Sequence, residues 1–225
     1  MWRIGHRGAQ GYEPENTSLS IKKAIELGVD GVEFDIQISK DGIPVVIHDD
    51  TLDRTTNGKG YVHDFSLREL QRLDAGDGET ILSLQEAIEI IDERTRLFIE
   101  LKAENSVIPV TKLLAYGLKN LGWNHEKFFI CSFNHLQLKA MRSAIPDIRT
   151  CALFEGIPTT LAKIASEAGA WSLNPPIYCV NQELVNDAHA RNLRVITWEV
   201  NSNNEMERAH LLGVDGIISD FPDRF

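Results

Sequence analysis

Residues 18–38, SLSIKKAIELGVDGVEFDIQI, decide the fold class. Their first half, Ser18 to Leu27, carries helical periodicity, and their second half, Gly31 to Ile38, is a short apolar run of the kind that forms a strand. Gly28, directly after the last apolar helical residue, suits a left-handed helix end from which the chain enters the strand. The passage Leu27-Gly28-Val29-Asp30-Gly31-Val32 returns near the far end as Leu212-Gly213-Val214-Asp215-Gly216-Ile217. A wrapped, repeated architecture produces such an echo; chance recurrence of a short, common helix-to-strand connection is the other reading.

On both sides the same alternation continues. Strands are predicted at Trp2 to His6, Gly31 to Ile38, Val45 to His48, Leu97 to Leu101, Lys127 to Cys131, Ile148 to Leu153, Ala170 to Leu173, Arg194 to Trp198 and Gly216 to Ser219. Helices fit between them at Ser18 to Leu27, Leu84 to Ile91, Val107 to Leu121, His135 to Ala144, Thr160 to Ala168, Gln182 to Arg191 and Asn204 to Leu212. With Val45 to His48 taken as an extra strand following the second, eight remain, the count of a (β/α)8 TIM barrel. A doubly wound open sheet is the rival, but neither GxGxxG nor GxxxxGK[ST] occurs. The alternation breaks only between His48 and Leu84, where turn signals at Asn57-Gly58 and Gly76-Asp77-Gly78 and capping boxes at Ser66-Leu67-Arg68-Glu69 and Ser83-Leu84-Gln85-Glu86 are found. We read a single barrel domain over residues 1–225, with an insertion at about 49–82 over one rim. Only residues 220–225 follow the last strand, so the eighth helix is expected to be shortened and the helical ring left with a gap.

Composition narrows the function. The 225 residues are 43% hydrophobic and 25% charged, an ordinary globular balance, with a formal net charge of −10. That excess gives no electrostatic footprint for nucleic acid or anionic lipid, so a phosphate-bearing substrate must be held locally. Neither a signal peptide nor a membrane span is expected. Cys131, Cys151 and Cys179 are odd in number and widely spaced, which argues against a disulfide framework and fits a reducing cytoplasmic setting.

In a barrel, functional groups sit at the C-terminal ends of the strands. His6 and Arg7 close the first strand, Glu33 and Asp35 lie two apart on the second, His48 ends the extra strand, and Glu100 and Lys102 lie two apart on the next. Residues i and i+2 of a strand share a face, so these pairs point into one mouth. Three carboxylates there need positive charge: a hard divalent cation, Mg2+ or Ca2+, or an ion-pair network with Arg7 and Lys102. His6 and His48, on either side of the carboxylate strand in sequence, suit general acid and base catalysis, the alternative being structural roles. Phe133 and Trp198 form either an apolar wall for substrate carbons or barrel core. The other five histidines are read as surface residues.

Taken together, His6-Arg7-Gly8, Pro14-Glu15-Asn16-Thr17, Glu33-Phe34-Asp35, His48-Asp49, Leu52-Asp53-Arg54-Thr55-Thr56-Asn57-Gly58 and Glu100-Leu101-Lys102, continuing through Ser132-Phe133 and Trp198-Glu199-Val200-Asn201 to Asp220-Phe221-Pro222, resemble the glycerophosphodiester phosphodiesterase family over nearly the whole chain. The resemblance implies a (β/α)8 barrel with a small insertion after the second strand that hydrolyses glycerophosphodiesters to an alcohol and sn-glycerol 3-phosphate. It makes Glu33, Asp35 and Glu100 the metal ligands and His6 and His48 the acid and base pair, and it turns Arg7 and Lys102 to the phosphate.

The residues agree with that chemistry. A phosphodiester needs charge neutralisation at its non-bridging oxygens, activation of a hydroxyl and protonation of a poor leaving group. His6 is assigned as base and His48 as acid, the reverse remaining open, and either water or the neighbouring glycerol hydroxyl attacks. Two alternatives stand beside hydrolysis: a lyase-like phospholipase that stops at a cyclic phosphate, and a non-catalytic barrel that binds a phosphodiester as a sensor. The polar insertion around Thr55 to Lys59 offers little lipid-facing surface for the former. The shortened end makes a homodimer through an exposed groove an expectation.

Overall fold

The strand and helix alternation closes into a ring. The computed structural model describes residues 1–224; Phe225, the last residue of the expected barrel domain, lies outside the described residues. Eight parallel strands pair in the order β1 (Trp2–Gly5), β2 (Gly31–Ile38), β4 (Arg96–Leu101), β5 (Phe128–Ser132), β6 (Arg149–Leu153), β7 (Ser172–Asn174), β8 (Arg194–Thr197) and β9 (Gly216–Ser219), and β9 pairs back onto β1. The extra strand β3 (Pro44–Val46) pairs antiparallel with the end of β2, Ile36 facing Val46. It stops two residues before the expected His48, which leaves that side chain in a loop at the rim.

Helices α1 (Ser18–Glu26), α3 (Leu84–Ile91), α4 (Val107–Tyr116), α5 (His135–Ala144), α6 (Lys163–Ala168), α7 (Gln182–Ala190) and α8 (Asn203–Leu212) cover the outside of the ring. Gly28 and Gly213 adopt φ +70° and +71°, and the two echoed passages lead into β2 and β9, the two neighbours of β1. After β9 the chain turns through residues 220–224, with no helix there among the described residues. Tyr12 packs edge-to-face on Phe221 at that point.

Side chains alternate across each strand. On β4, Leu97, Ile99 and Leu101 face the helices and join the large outer core, while Phe98 joins Ile4, Phe129, Cys131, Cys151, Leu153, Ile196 and Ile218 inside the barrel. Phe98 stacks on Phe129 at 4.6 Å, and full burial of such a ring contributes about 1.5–3 kcal/mol. Residues 49–82, where the insertion was expected, carry the short helix α2 (Leu67–Leu70) and share with Val45 and Ile47 a separate small core of Leu52, Val62, Leu70 and Ile81. Both capping boxes form, Ser66 with Glu69 and Ser83 with Glu86.

Candidate active site

The loop after β1 is bent into position by its backbone. Arg7 takes φ +48° and Gly8 φ +87°, and an added Cβ on Gly8 would collide with Ser20 of α1. Only glycine fits there, and the bend turns the Arg7 N–H onto Glu33 Oε2 at 3.0 Å. Residues held in such conformations cost folding energy and cluster at functional sites.

Pairing register assembles the carboxylates. Asp35 lies directly opposite Glu100 on the neighbouring strand, and Glu33 sits two residues earlier on the same face of β2. Glu33, Asp35 and Glu100 each offer an oxygen, all within 4.8 Å of one another, with Glu33 and Asp35 buried and Glu100 partly so. Asn16 clamps Asp35, donating from Nδ2 to Oδ2 at 3.0 Å and accepting the Asp35 N–H at 3.3 Å. Lys102 Nζ lies 3.0 Å from Glu100, and Arg7 Nε lies 3.3 Å from Asp35. Glu33 has no ion-pair partner among the described residues. Burial, and the repulsion of Asp35, push the Glu33 carboxyl up to about 8 and raise that of Glu100. Arg7 and Lys102 therefore neutralise the cluster only in part. All-oxygen donors with negative charge left over fit a hard divalent cation and suit no thiophilic one.

Each histidine is fixed by a carboxylate. His6 Nδ1 lies 2.7 Å from Asp220 Oδ1, which leaves Nε2 toward Glu199, 3.8 Å away. Burial by itself lowers the His6 pKa, but the Asp220 hydrogen bond and the nearby Glu33 charge outweigh it and the pKa is raised. Asp220 is in turn held by Gln10 at 2.6 Å and Asn201 at 2.8 Å. His48 Nδ1 lies 2.6 Å from Asp49, and its Nε2 accepts from Lys102 Nζ at 3.2 Å. Arg54 holds the Asp49 carboxyl far below the usual range. Arg54 also grips Glu15, which bonds Arg7 on its other side, so a chain of charges joins the two histidine loops.

All nine side chains singled out from the sequence line one cavity of about 210 Å³: His6, Arg7, Glu33, Asp35, His48, Glu100, Lys102, Phe133 and Trp198. Phe133 packs edge-to-face on Trp198 at 5.9 Å, half exposed at the mouth, while Trp198 also rests on the barrel interior. Sequence reasoning gave no role to Cys131, Leu153 and Ile218 of the cavity floor, to Glu199, or to the supporting Glu15, Asn16, Asp49, Arg54 and Asp220. The last five stood inside quoted motifs, and their adjacency to paired charges was the available signal. The five histidines read as surface residues lie outside this cavity, and His135 Nε2 meets the Leu153 carbonyl at 2.8 Å.

Comparison with known proteins accords with this arrangement. The family model described as "Glycerophosphoryl diester phosphodiesterase family" matches residues 6–224. A glycerophosphodiester phosphodiesterase of Caldanaerobacter subterraneus subsp. tengcongensis is 38% identical, covering 98% of this chain and 94% of that protein. One from Bacillus altitudinis is 32% identical, covering 98% and 95% respectively. Among solved structures, an Oleispira antarctica phosphodiesterase in complex with the product sn-glycerol-3-phosphate superposes with a TM-score of 0.90 at 31% identity, covering 98% of this chain and 93% of that one.

Proposed function

The chain belongs to the glycerophosphoryl diester phosphodiesterase family of barrel enzymes, which hydrolyse glycerophosphodiesters, and from that premise we propose that it converts them to an alcohol and sn-glycerol 3-phosphate in a metal-dependent reaction with His6 and His48 as the acid and base pair. The observation that carries this reading is the convergence of two carboxylate-fixed histidines, three clustered carboxylates and two cations on one cavity.

Glu33, Asp35 and Glu100 would hold Mg2+ or Ca2+, which when bound supplies positive charge to a non-bridging phosphate oxygen. Arg7 and Lys102 face the same anion from the cavity wall and hold the substrate phosphate in place. His6, its Nδ1 tied to Asp220, takes the proton of the attacking hydroxyl at Nε2. His48, its Nδ1 tied to Asp49, delivers a proton from Nε2 to the departing oxygen once Lys102, which donates to that nitrogen here, has turned to the phosphate and Nε2 has taken up a proton. Phe133 and Trp198 wall the glycerol carbons and exclude water from that side.

The remaining readings are proposed on the same terms: a single barrel domain with residues 49–82 as its inserted rim, a homodimer, and a cytoplasmic location, which the three unpaired buried cysteines support. No helix among the described residues is long and apolar enough to cross a membrane. A monomer by light scattering would contradict the homodimer.

A ³¹P NMR time course on glycerophosphocholine, with Mg2+ or Ca2+ and an EDTA control, tests the main reading. Glycerol 3-phosphate that appears only with metal is the expected result. A cyclic phosphate that persists would favour the lyase-like route, and no new signal with any diester would overturn the activity.

A further inference from the structure

The end of the barrel opposite the catalytic cavity carries charge of its own. β1, β4, β6 and β8, alternate strands of the ring, begin on Trp2, Arg96, Arg149 and Arg194. Each lies two residues before a side chain of the barrel interior, Ile4, Phe98, Cys151 and Ile196, so all four share the inward face. They form the outermost layer of the interior at the N-terminal strand ends, where a barrel ordinarily stacks branched apolar side chains. Here the layer is one tryptophan and three arginines. With Lys127 and Trp171 they line a cavity of about 690 Å³, within the size range of ligand sites.

These cations are held in place but not neutralised. Arg96 lies 4.1 Å over the Trp2 ring, Arg149 lies 5.8 Å from the Trp171 ring, and the two indoles stack on each other at 5.4 Å. Arg194 pairs with Asp215 at 2.8 Å and Arg149 with Glu126 only at 3.7 Å, while Arg96 and Lys127 have no carboxylate partner among the described residues. Asp215 is also bonded by His189 at 2.9 Å and by the Val195 N–H at 2.8 Å, so its charge is already shared. A guanidinium has five N–H donors, and among the described residues each of these makes one hydrogen bond: Arg96 to the Asp30 carbonyl, Arg149 to the Glu126 carbonyl and Arg194 to Asp215. Four cations face two carboxylates there, in a chain whose formal net charge is −10.

We propose that this opening binds a small anion with two linked phosphate groups. Arginine forks match pairs of phosphate oxygens. One strand separates β4 from β6, which sets Arg96 and Arg149 about 10 Å apart at the backbone, so each fork meets one phosphate group and the link spans the gap. Lys127, directly before the intervening β5, adds a third cation. The overall negative charge keeps large polyanions away, whereas inside the cavity the local cations prevail.

Calorimetric titration of the full chain with pyrophosphate, ADP and orthophosphate, in EDTA at about 0.15 M ionic strength, tests this. One pyrophosphate per chain is expected, with orthophosphate at least about tenfold weaker. Arg96→Gln and Arg149→Gln should each weaken pyrophosphate at least about tenfold, the loss of one charge-assisted hydrogen bond, and leave glycerophosphocholine turnover unchanged. Glu126→Gln removes an opposing carboxylate at an exposed position and should tighten binding about twofold to fivefold, which keeps the test decisive if an arginine variant fails to fold. ADP bound as tightly as pyrophosphate would make the occupant an organic diphosphate and weaker ADP an inorganic one, and either supports the site. No binding at millimolar pyrophosphate would make the layer a structural plug and overturn the proposal. Orthophosphate bound as tightly as pyrophosphate would overturn the two-phosphate reading. Binding that Lys102→Gln abolishes and the arginine variants keep would place the anion in the catalytic cavity and overturn the proposal as well.

Discussion

Asp220→Asn removes the charge behind His6 while keeping the shape of the side chain. The two side chains are 21% and 11% exposed and meet at 2.7 Å, so solvent screens the pair only in part. A hydrogen bond to a charged partner contributes about 1.5–3 kcal/mol, and one pH unit corresponds to about 1.36 kcal/mol, so the His6 pKa should fall by about 1–2 units. Burial, which lowers it, is then opposed mainly by Glu33. A base must be neutral in the free enzyme, so kcat/KM rises with pH through the His6 pKa, and the rising limb should move to lower pH by that amount. If the roles of the histidines are reversed, the falling limb moves down instead. The assay is kcat/KM for glycerophosphocholine from about pH 4 to 9 at saturating metal. The new amide also turns an N–H₂ toward Gln10 or Asn201, which both donate to Asp220, so the melting temperature should fall by about 2–4 °C per kcal/mol lost. A profile whose two limbs superpose on the wild type would refute the assignment of Asp220 as the group that sets the proton affinity of His6.

Two other outcomes follow from the same geometry. Because Glu33 is pushed up to about 8 and Glu100 is raised as well, the metal-free folded state holds protons that the unfolded chain has released. Its stability should fall as pH rises from the ordinary carboxylate range to about 8, and melting curves in EDTA at the two ends check this. Metal at about one hundred times its Kd adds about 2.7 kcal/mol, roughly 5–10 °C for a domain of this size, and its effect should be larger at the high-pH end. Gly8→Ala strains a left-handed backbone by about 1–3 kcal/mol and pushes Arg7 off Glu33. Its kcat/KM should fall at least about tenfold, and wild-type kinetics would show that the bend is dispensable.

The strands were legible because their apolar runs are short and bounded, and the pairing of Glu33 with Asp35 and of Glu100 with Lys102 on shared faces needs only the two-residue period of a strand. Their mutual approach was less visible. It depends on Asp35 lying opposite Glu100, a register set by the closure of the ring and written in neither strand alone. The partner of His6 is 214 residues away, brought near only because β9 pairs back onto β1. Boundaries slipped where a distant side chain took over local hydrogen bonding. Helix α6 begins at Lys163 and not at the expected Thr160, since the Ala162 N–H is held by Asp187 of α7. β7 begins two residues later than the apolar pattern suggests and ends one later, because its last residue, Asn174, is a buried polar residue whose carbonyl receives the Trp198 indole N–H at 2.8 Å.

The central claim is that His6 and His48 act together at the carboxylate cluster, and single-turnover hydrolysis of glycerophosphocholine at saturating metal tests it most directly. General acid and base catalysis contributes about 10²–10⁴-fold per group, so His6→Ala and His48→Ala should each slow the chemical step by at least about a hundredfold while metal still raises their melting temperatures. A single-turnover rate equal to the wild type in either variant would contradict the account.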